Sequence, residues 1–187
     1  MSLAETLQAQ IPNLDKSGLD FFLSKWTKKV KVKRNEFLVK KGMIHPYLYF
    51  VKKGAMHIFY PAEEKDLTIR FGYQNNFIGV FPTFLNNQPT HFTIQAIKAS
   101  ELIGIHRDDY YQAIAENDTL KQYWQNALEH LVISQLEREI DLLTSSPAER
   151  YHRVLERSPQ LFQEIPLKLI ASYLRMTPET LSRLRKS

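Results

Sequence analysis

Near the end of this 187-residue chain, in "MTPETLSRLRKS", Glu179, Ser182, Arg183 and Lys186 fall along one side of a short helical pattern. Their types suit the edges of base pairs. A carboxylate accepts from the cytosine amino group and a guanidinium forks onto guanine, each worth roughly 1 to 3 kcal/mol of discrimination. Thr180, Arg185 and the helix N-terminus suit phosphate oxygens, and Thr177, at the start of the helix, is counted with them among the DNA-binding residues. A helix so equipped is expected to enter the major groove of double-stranded DNA. The competing reading is a surface pair between Glu179 and Arg183 at i, i+4, worth only roughly 0.2 to 0.5 kcal/mol.

The elements that must position these residues are readable upstream. Thr177 and Pro178 form an N-cap followed by a first-turn proline, and Leu181 and Leu184 turn back toward a core. Pro166 starts a preceding helix in which Leu167, Ile170, Ala171 and Leu174 face one way, and three residues separate the two. So tight a junction predicts a helix-turn-helix. Ser146 and Pro147 open this terminal region in the same manner, with breaks at Ser158-Pro159 and Ile165-Pro166. Ahead of it a long helix is expected, capped by Asp118 and running to about Ser145. Its second half carries Ile133, Leu136, Ile140 and Leu143 at steps of 3, 4 and 3, a seam for a twin helix and hence a homodimer. Its first half shows a broader face of Leu120, Tyr123, Trp124, Ala127, Leu128, Leu131 and Val132. The alternative packs the whole helix within its own monomer.

Period-two runs fill the first half of the chain. "VKVKR", "EFLVKKG", "YLYFVKKGAMHIFY", "DLTIRFG", "HFTIQAIKAS" and "ELIGIH" are rich in β-branched and aromatic residues and separated by turn signals, which predicts a β-sandwich or barrel from about Lys28 to His106. Short helices are expected over Ala4 to Gln10, Asp15 to Trp26, and "RDDYYQAIAEN".

Composition removes several function classes. Cys is 0, so disulfides, iron-sulfur clusters and thiolate zinc sites are excluded. The six histidines show no close pair at metal-ligand spacing. Neither a His-x-His, a Ser/His/Asp arrangement nor a phosphate-cradling glycine loop is present, which argues against an enzyme and implies no cofactor. With no apolar run of roughly 20 residues and no leader-like start, a soluble cytoplasmic protein without membrane contact is expected. The net charge of +5 is uneven. Lys25 to Lys41 holds eight cations against Glu36 alone, and residues 148–187 hold eight against four acids. Such zones attract phosphate, although "KKVKVKR" also suits a strand with solvated lysines.

A barrel, a long seam helix and "IASYLRMTPETLSRLRK" together resemble the Crp/Fnr family of bacterial transcription regulators. The resemblance covers nearly the whole chain and implies an α+β fold: a cyclic-nucleotide-binding-type β-barrel (a double-stranded jelly roll), a long dimerisation helix and a small all-α helix-turn-helix domain. The implied divisions are 1–117, 118–145 and 146–187. The function implied is sequence-specific binding of a pseudo-palindromic operator by a homodimer, with an unknown small-molecule effector possible. A ligand-binding or adaptor protein with a vestigial helix-turn-helix is the alternative. Departures accompany the resemblance. Arg175 stands where the family's turn usually has Gly, and the wing that follows the family's recognition helix is expected to be missing. In the family's nucleotide cassette, this reading puts Asn76 in place of the ribose-binding Glu, Thr90 in place of the phosphate-binding Arg and His91 in place of a hydroxyl residue; Phe77 and Gly79 keep the scaffold. A cyclic phosphate needs a charge-assisted partner that Thr90 cannot supply, so cyclic AMP is not expected to bind.

Overall fold

The structure, a computed structural model, describes residues 1–186. Two short helices lead, α1 (Leu3–Gln10) and α2 (Lys16–Ser24), each started by a side chain that satisfies an orphan amide: a Ser2/Glu5 capping box and Asp15 on Gly18 N. Eight strands follow: β1 (Lys28–Val32), β2 (Phe37–Val39), β3 (Tyr47–Lys53), β4 (Ala55–Tyr60), β5 (Leu67–Tyr73), β6 (Phe77–Gly79), β7 (Thr93–Ala96) and β8 (Ser100–His106), with α3 (Phe81–Asn86) between β6 and β7. They form two four-stranded sheets, ordered β1-β8-β3-β6 and β2-β7-β4-β5, in which the strands pair antiparallel. The barrel limits agree with the sequence expectation at both ends. The run "YLYFVKKGAMHIFY" divides in two because Gly54 turns with φ +96, where an added Cβ would lie 2.2 Å from Ser100 Oγ. The β6–α3 segment carried no strand expectation; three residues are too few to show a period.

The period of two explains why β3 is apolar throughout. Tyr49 and Val51 fill the barrel interior with Val32, Val39, Ile94 and Leu102. Leu48 and Phe50 point the other way, against Leu7, Phe22, Tyr110 and Leu120 of the helices. A strand covered on both faces cannot alternate with polar residues.

After α4 (Arg107–Glu116) comes α5 (Asp118–Leu143), whose cap is Asn117 rather than Asp118: Asn117 Oδ1 accepts from Leu120 N at 3.0 Å. The terminal region holds α6 (Pro147–Arg157), α7 (Leu161–Glu164), α8 (Leu167–Tyr173) and α9 (Pro178–Leu184), begun and broken at the expected prolines. These helices share one core with the outer face of the β4–β5 sheet, where Ala55 and Phe71 meet Val154, Ile170, Leu174 and Leu181. One ionic joint and one set of arginine–carbonyl hydrogen bonds fix them to α5. Asp141, fully buried, accepts from Arg153 Nε at 3.0 Å and from Arg157 Nη2. Arg150 donates to carbonyls at both ends of the region: Thr144 (2.5 Å) and Ser145 (3.0 Å) after α5, Leu174 (2.9 Å) and Arg175 (3.3 Å) after α8.

Candidate nucleic-acid interface and cavity

The terminal helix pair is built as its residues dictate. Ile170, Ala171, Leu174 and Leu181 are fully buried, and Thr177 caps α9 by accepting from Thr180 N at 3.2 Å. Arg175 in the turn has φ +52, the left-handed conformation that costs a non-glycine residue roughly 1 to 2 kcal/mol. Its carbonyl is held by Arg150, which offsets part of that strain.

Thr177, Glu179, Arg183 and Lys186 are exposed, while Thr180 and Ser182 are half-buried. The Glu179 carboxyl lies below the usual range, held there by its own backbone amide and by the Thr177 hydroxyl, with Arg183 adding a smaller pull. Among the described residues no ion pair within 4 Å joins Glu179 to Arg183. The simple i, i+4 pair is therefore not formed, and Arg183 projects from the helix. The start of α9 is less open than its sequence implies. Thr177, Pro178 and Glu179 line a cleft of about 650 Å³ shared with Lys65, Leu67 and Thr68 of the β4–β5 hairpin.

On α5 the seam residues are bare: Ile133, Leu136, Ile140 and Leu143 are 45 to 78% exposed. Val132, assigned from sequence to the inward face, is 60% exposed and belongs with them. The reason is angular, since at about 100° per residue Val132 stands about 20° from Leu143 and about 40° from Leu136, but about 80° from Trp124 and about 100° from Leu131.

The remaining inward face of α5 roofs a cavity of about 780 Å³ over the barrel, lined by Ile58, Phe77, Ile78, Val80, Phe92, Tyr123, Trp124 and Leu131, with Arg70, His130, Ser134 and Gln135 as polar groups. Of the five residues assigned to an effector pocket from sequence, only Phe77 and Gly79 line it. Asn76 precedes β6 and accepts from Tyr73 N at 3.2 Å. Thr90 is buried but turned into its own loop, bonded to the amide of Phe92 at 2.9 Å, and His91 is exposed beside it. Val80, an apolar residue, occupies the junction between β6 and α3 on the cavity wall.

Arg70 is the cavity residue that sequence reading missed. Strict alternation from Thr68 would send Thr68 and Arg70 to the same face of β5. A bulge intervenes: Phe59 pairs with Thr68 and Ile58 with Arg70, so Ile69 is the extra residue and Arg70 turns inward. Burial lowers the Arg70 pKa, opposed in part by Tyr173. Only the local β-bulge makes this arrangement, and no residue in "DLTIRFG" signals it.

Residues 29–117 match the cyclic nucleotide-binding domain family. The catabolite activator protein of Thermus thermophilus is similar over 95% of this chain and 84% of its own, at 20% identity and a TM-score of 0.59. CooA of Carboxydothermus hydrogenoformans is similar over 88% and 77%, at 16% identity and a TM-score of 0.69. FixK2 of Bradyrhizobium japonicum covers 85% and 82%, at 15% identity and a TM-score of 0.69. Comparison with curated protein sequences finds no match. The fold is therefore of the α+β cyclic-nucleotide-binding type, with antiparallel sheets and a long helix. No helix among the described residues is long and apolar enough to cross a membrane.

Proposed function

We propose that the chain is a transcription regulator of Crp/Fnr type: a barrel at 1–117 that senses, a helix at 118–145 that pairs with its twin, and a helix-turn-helix at 146–187 that reads DNA. The observation that carries this reading is α9 itself. A capped, proline-started helix with buried Leu181 behind it presents Arg183 and Lys186 outward, and among the described residues no ion pair within 4 Å joins either to a carboxylate, as groove readout requires. The three neighbours above share the α+β fold with its antiparallel sheets and long helix, which supports the reading. The rival adaptor reading draws support from the cleft at the start of α9, which keeps Thr177 and Glu179 facing the barrel.

Selection from a random duplex pool separates the two. The expected site is a rough palindrome with half-sites about 34 to 36 Å apart, or a multiple of that spacing. Arg183→Ala should weaken binding by roughly 1 to 3 kcal/mol per half-site and relax one base pair. Lys186→Ala should weaken all sequences alike and reduce the salt slope by about one unit. An Arg183→Ala protein that holds the selected palindrome as tightly as its parent would remove base readout from α9.

The seam has its own test. Ile140→Glu, a charge placed in the middle of the exposed apolar stripe, should convert a homodimer at micromolar concentration to monomer in sedimentation. If the parent is already monomeric there, the stripe is not a dimer face.

Cyclic AMP should give no calorimetric binding tighter than roughly 10 μM, about −7 kcal/mol. Val80 stands at the β6–α3 junction and Thr90 stays within its own loop, so among the described residues the wall carries no carboxylate for a ribose, and its one guanidinium, Arg70, comes from β5 rather than from the position of the family's cassette.

A further inference from the structure

Three arginines from three parts of the fold meet at a small pocket of about 250 Å³: Arg70 of β5, Arg138 of α5 and Arg157 of α6. Arg157 is neutralised by Asp141. The other two are not. Among the described residues, no carboxylate lies within 4 Å of the Arg70 or Arg138 guanidinium. Among the described residues the Arg70 guanidinium makes one hydrogen bond, from Nη2 to Ser134 Oγ at 3.2 Å. Arg138 is only 8% exposed; its Nη2 donates to the Tyr173 carbonyl at 2.5 Å, it lies 3.7 Å over the Tyr173 ring, and its Nη1 is buried with no partner among the described residues. Burial, and to a lesser degree the nearby Arg175 and Arg157, lower its pKa against the pull of Tyr173 and Asp141.

An unpaired buried cation such as Arg138 is costly, and Arg70, half-buried on the same cavity, adds to that cost. A second copy packed on the α5 seam does not supply the missing charge. Ser134 and Arg138 lie one helical turn apart, on the side of α5 opposite Leu136 and Ile140. The neutral groups around the pocket suit an acceptor-rich guest. The Asn76 amide nitrogen and the Ser134 hydroxyl are available as donors beside the two guanidinium forks.

We propose that this junction binds a small, doubly charged oxyanion of the phosphate type between Arg70 and Arg138. Guanidinium forks bind such anions by charge-assisted, often bidentate hydrogen bonds. Because Arg70 belongs to the barrel, Arg138 to the long helix and the neighbouring Arg157 to the terminal helices, the anion is the counter-ion that holds the three together. Arg70 also lines the larger cavity, so a free anion and the phosphoryl group of a larger ligand are both chemically suited.

The site is testable without DNA. Thermal melting and calorimetry of the full chain are run in inorganic phosphate, in phenyl phosphate, and in chloride at matched ionic strength. Phosphate or phenyl phosphate should raise the melting temperature saturably where chloride does not; tighter binding of phenyl phosphate would identify the anion as part of a larger ligand. Arg138→Met and Arg70→Met should each weaken the response by about tenfold or more. Arg138→Met should also raise the melting point of the anion-free protein, since it removes an unpaired buried charge; should it fail to fold, Arg70→Gln carries the test. Equal stabilisation by chloride overturns the proposal, as does a full phosphate response in both methionine variants. So does loss of that response in Arg183→Ala, which would place the anion on α9.

Discussion

Asp141→Ala should loosen the terminal helices from the long helix while leaving the barrel folded. The carboxylate is fully buried and takes hydrogen bonds from both Arg153 and Arg157, with Glu137 at the outer edge of the same cluster. Removing one partner of a buried ion pair costs about 3 to 5 kcal/mol when the orphaned charge stays buried. Here the two arginine side chains are 31% exposed and recover some hydration, so a loss of about 3 kcal/mol is expected. The loss should be local. In urea, far-ultraviolet circular dichroism should show the terminal helices melting first. Trp26 and Trp124, both packed in the core beneath the barrel, should report a later transition. A single coincident transition shifted by under about 1 kcal/mol would show that the apolar contacts with Phe71 hold these helices unaided.

Acid should act at a second point of the same junction. His57 on β4 is buried under α8, stacked on Phe71, and its Nε2 lies 3.0 Å from Thr68 Oγ1, which donates in turn to Ser172 of α8 at 3.3 Å. With that hydroxyl proton committed to Ser172, the Thr68 oxygen accepts from Nε2–H, which fits a neutral ring. Burial alone lowers the His57 pKa from 6.5 to about 4. The folded state thus binds the proton more weakly than the unfolded chain. Its contribution is fully present above pH 6.5 and disappears as pH falls toward 4, amounting to about 3 kcal/mol in all and about 2 kcal/mol by pH 5. His57→Gln should therefore be less stable than the parent at pH 7 yet lose about 2 kcal/mol less between pH 7 and 5. Burial, followed by Lys28, also lowers the pKa of His45, but that residue is present in both proteins and cancels in the comparison. Parallel stability curves for the two would mean that His57 protonates with little cost.

The elements with strong local signals were open to sequence reading, and the reasons are physical. Prolines after Ser146, Ile165 and Thr177 mark helix starts by removing an amide that would be unpaired there, and Gly54 marks a turn no other residue fits. The exposed stripe on α5 was visible as a period of three and four. What stayed hidden depends on register and on distant partners. Arg70 faces inward because of one extra residue in β5, and Asn76, Thr90 and His91 miss the cavity because their loops fold back on themselves. The docking of the terminal helices on the outer face of β4 and β5 had no sequence signal either. Phe71 and Ala55 read as ordinary strand residues until Ile170 and Leu181 are seen against them.

Arg150 carries a mechanical consequence. One side chain grips the exit of the long helix and the turn that launches α9, so the joint between them has no slack. In the proposed dimer the terminal helix then behaves as the far end of a crank. A few degrees of change in the angle at which two long helices cross would swing both reading ends together, and their separation, rather than the shape of either one, would decide which operators fit.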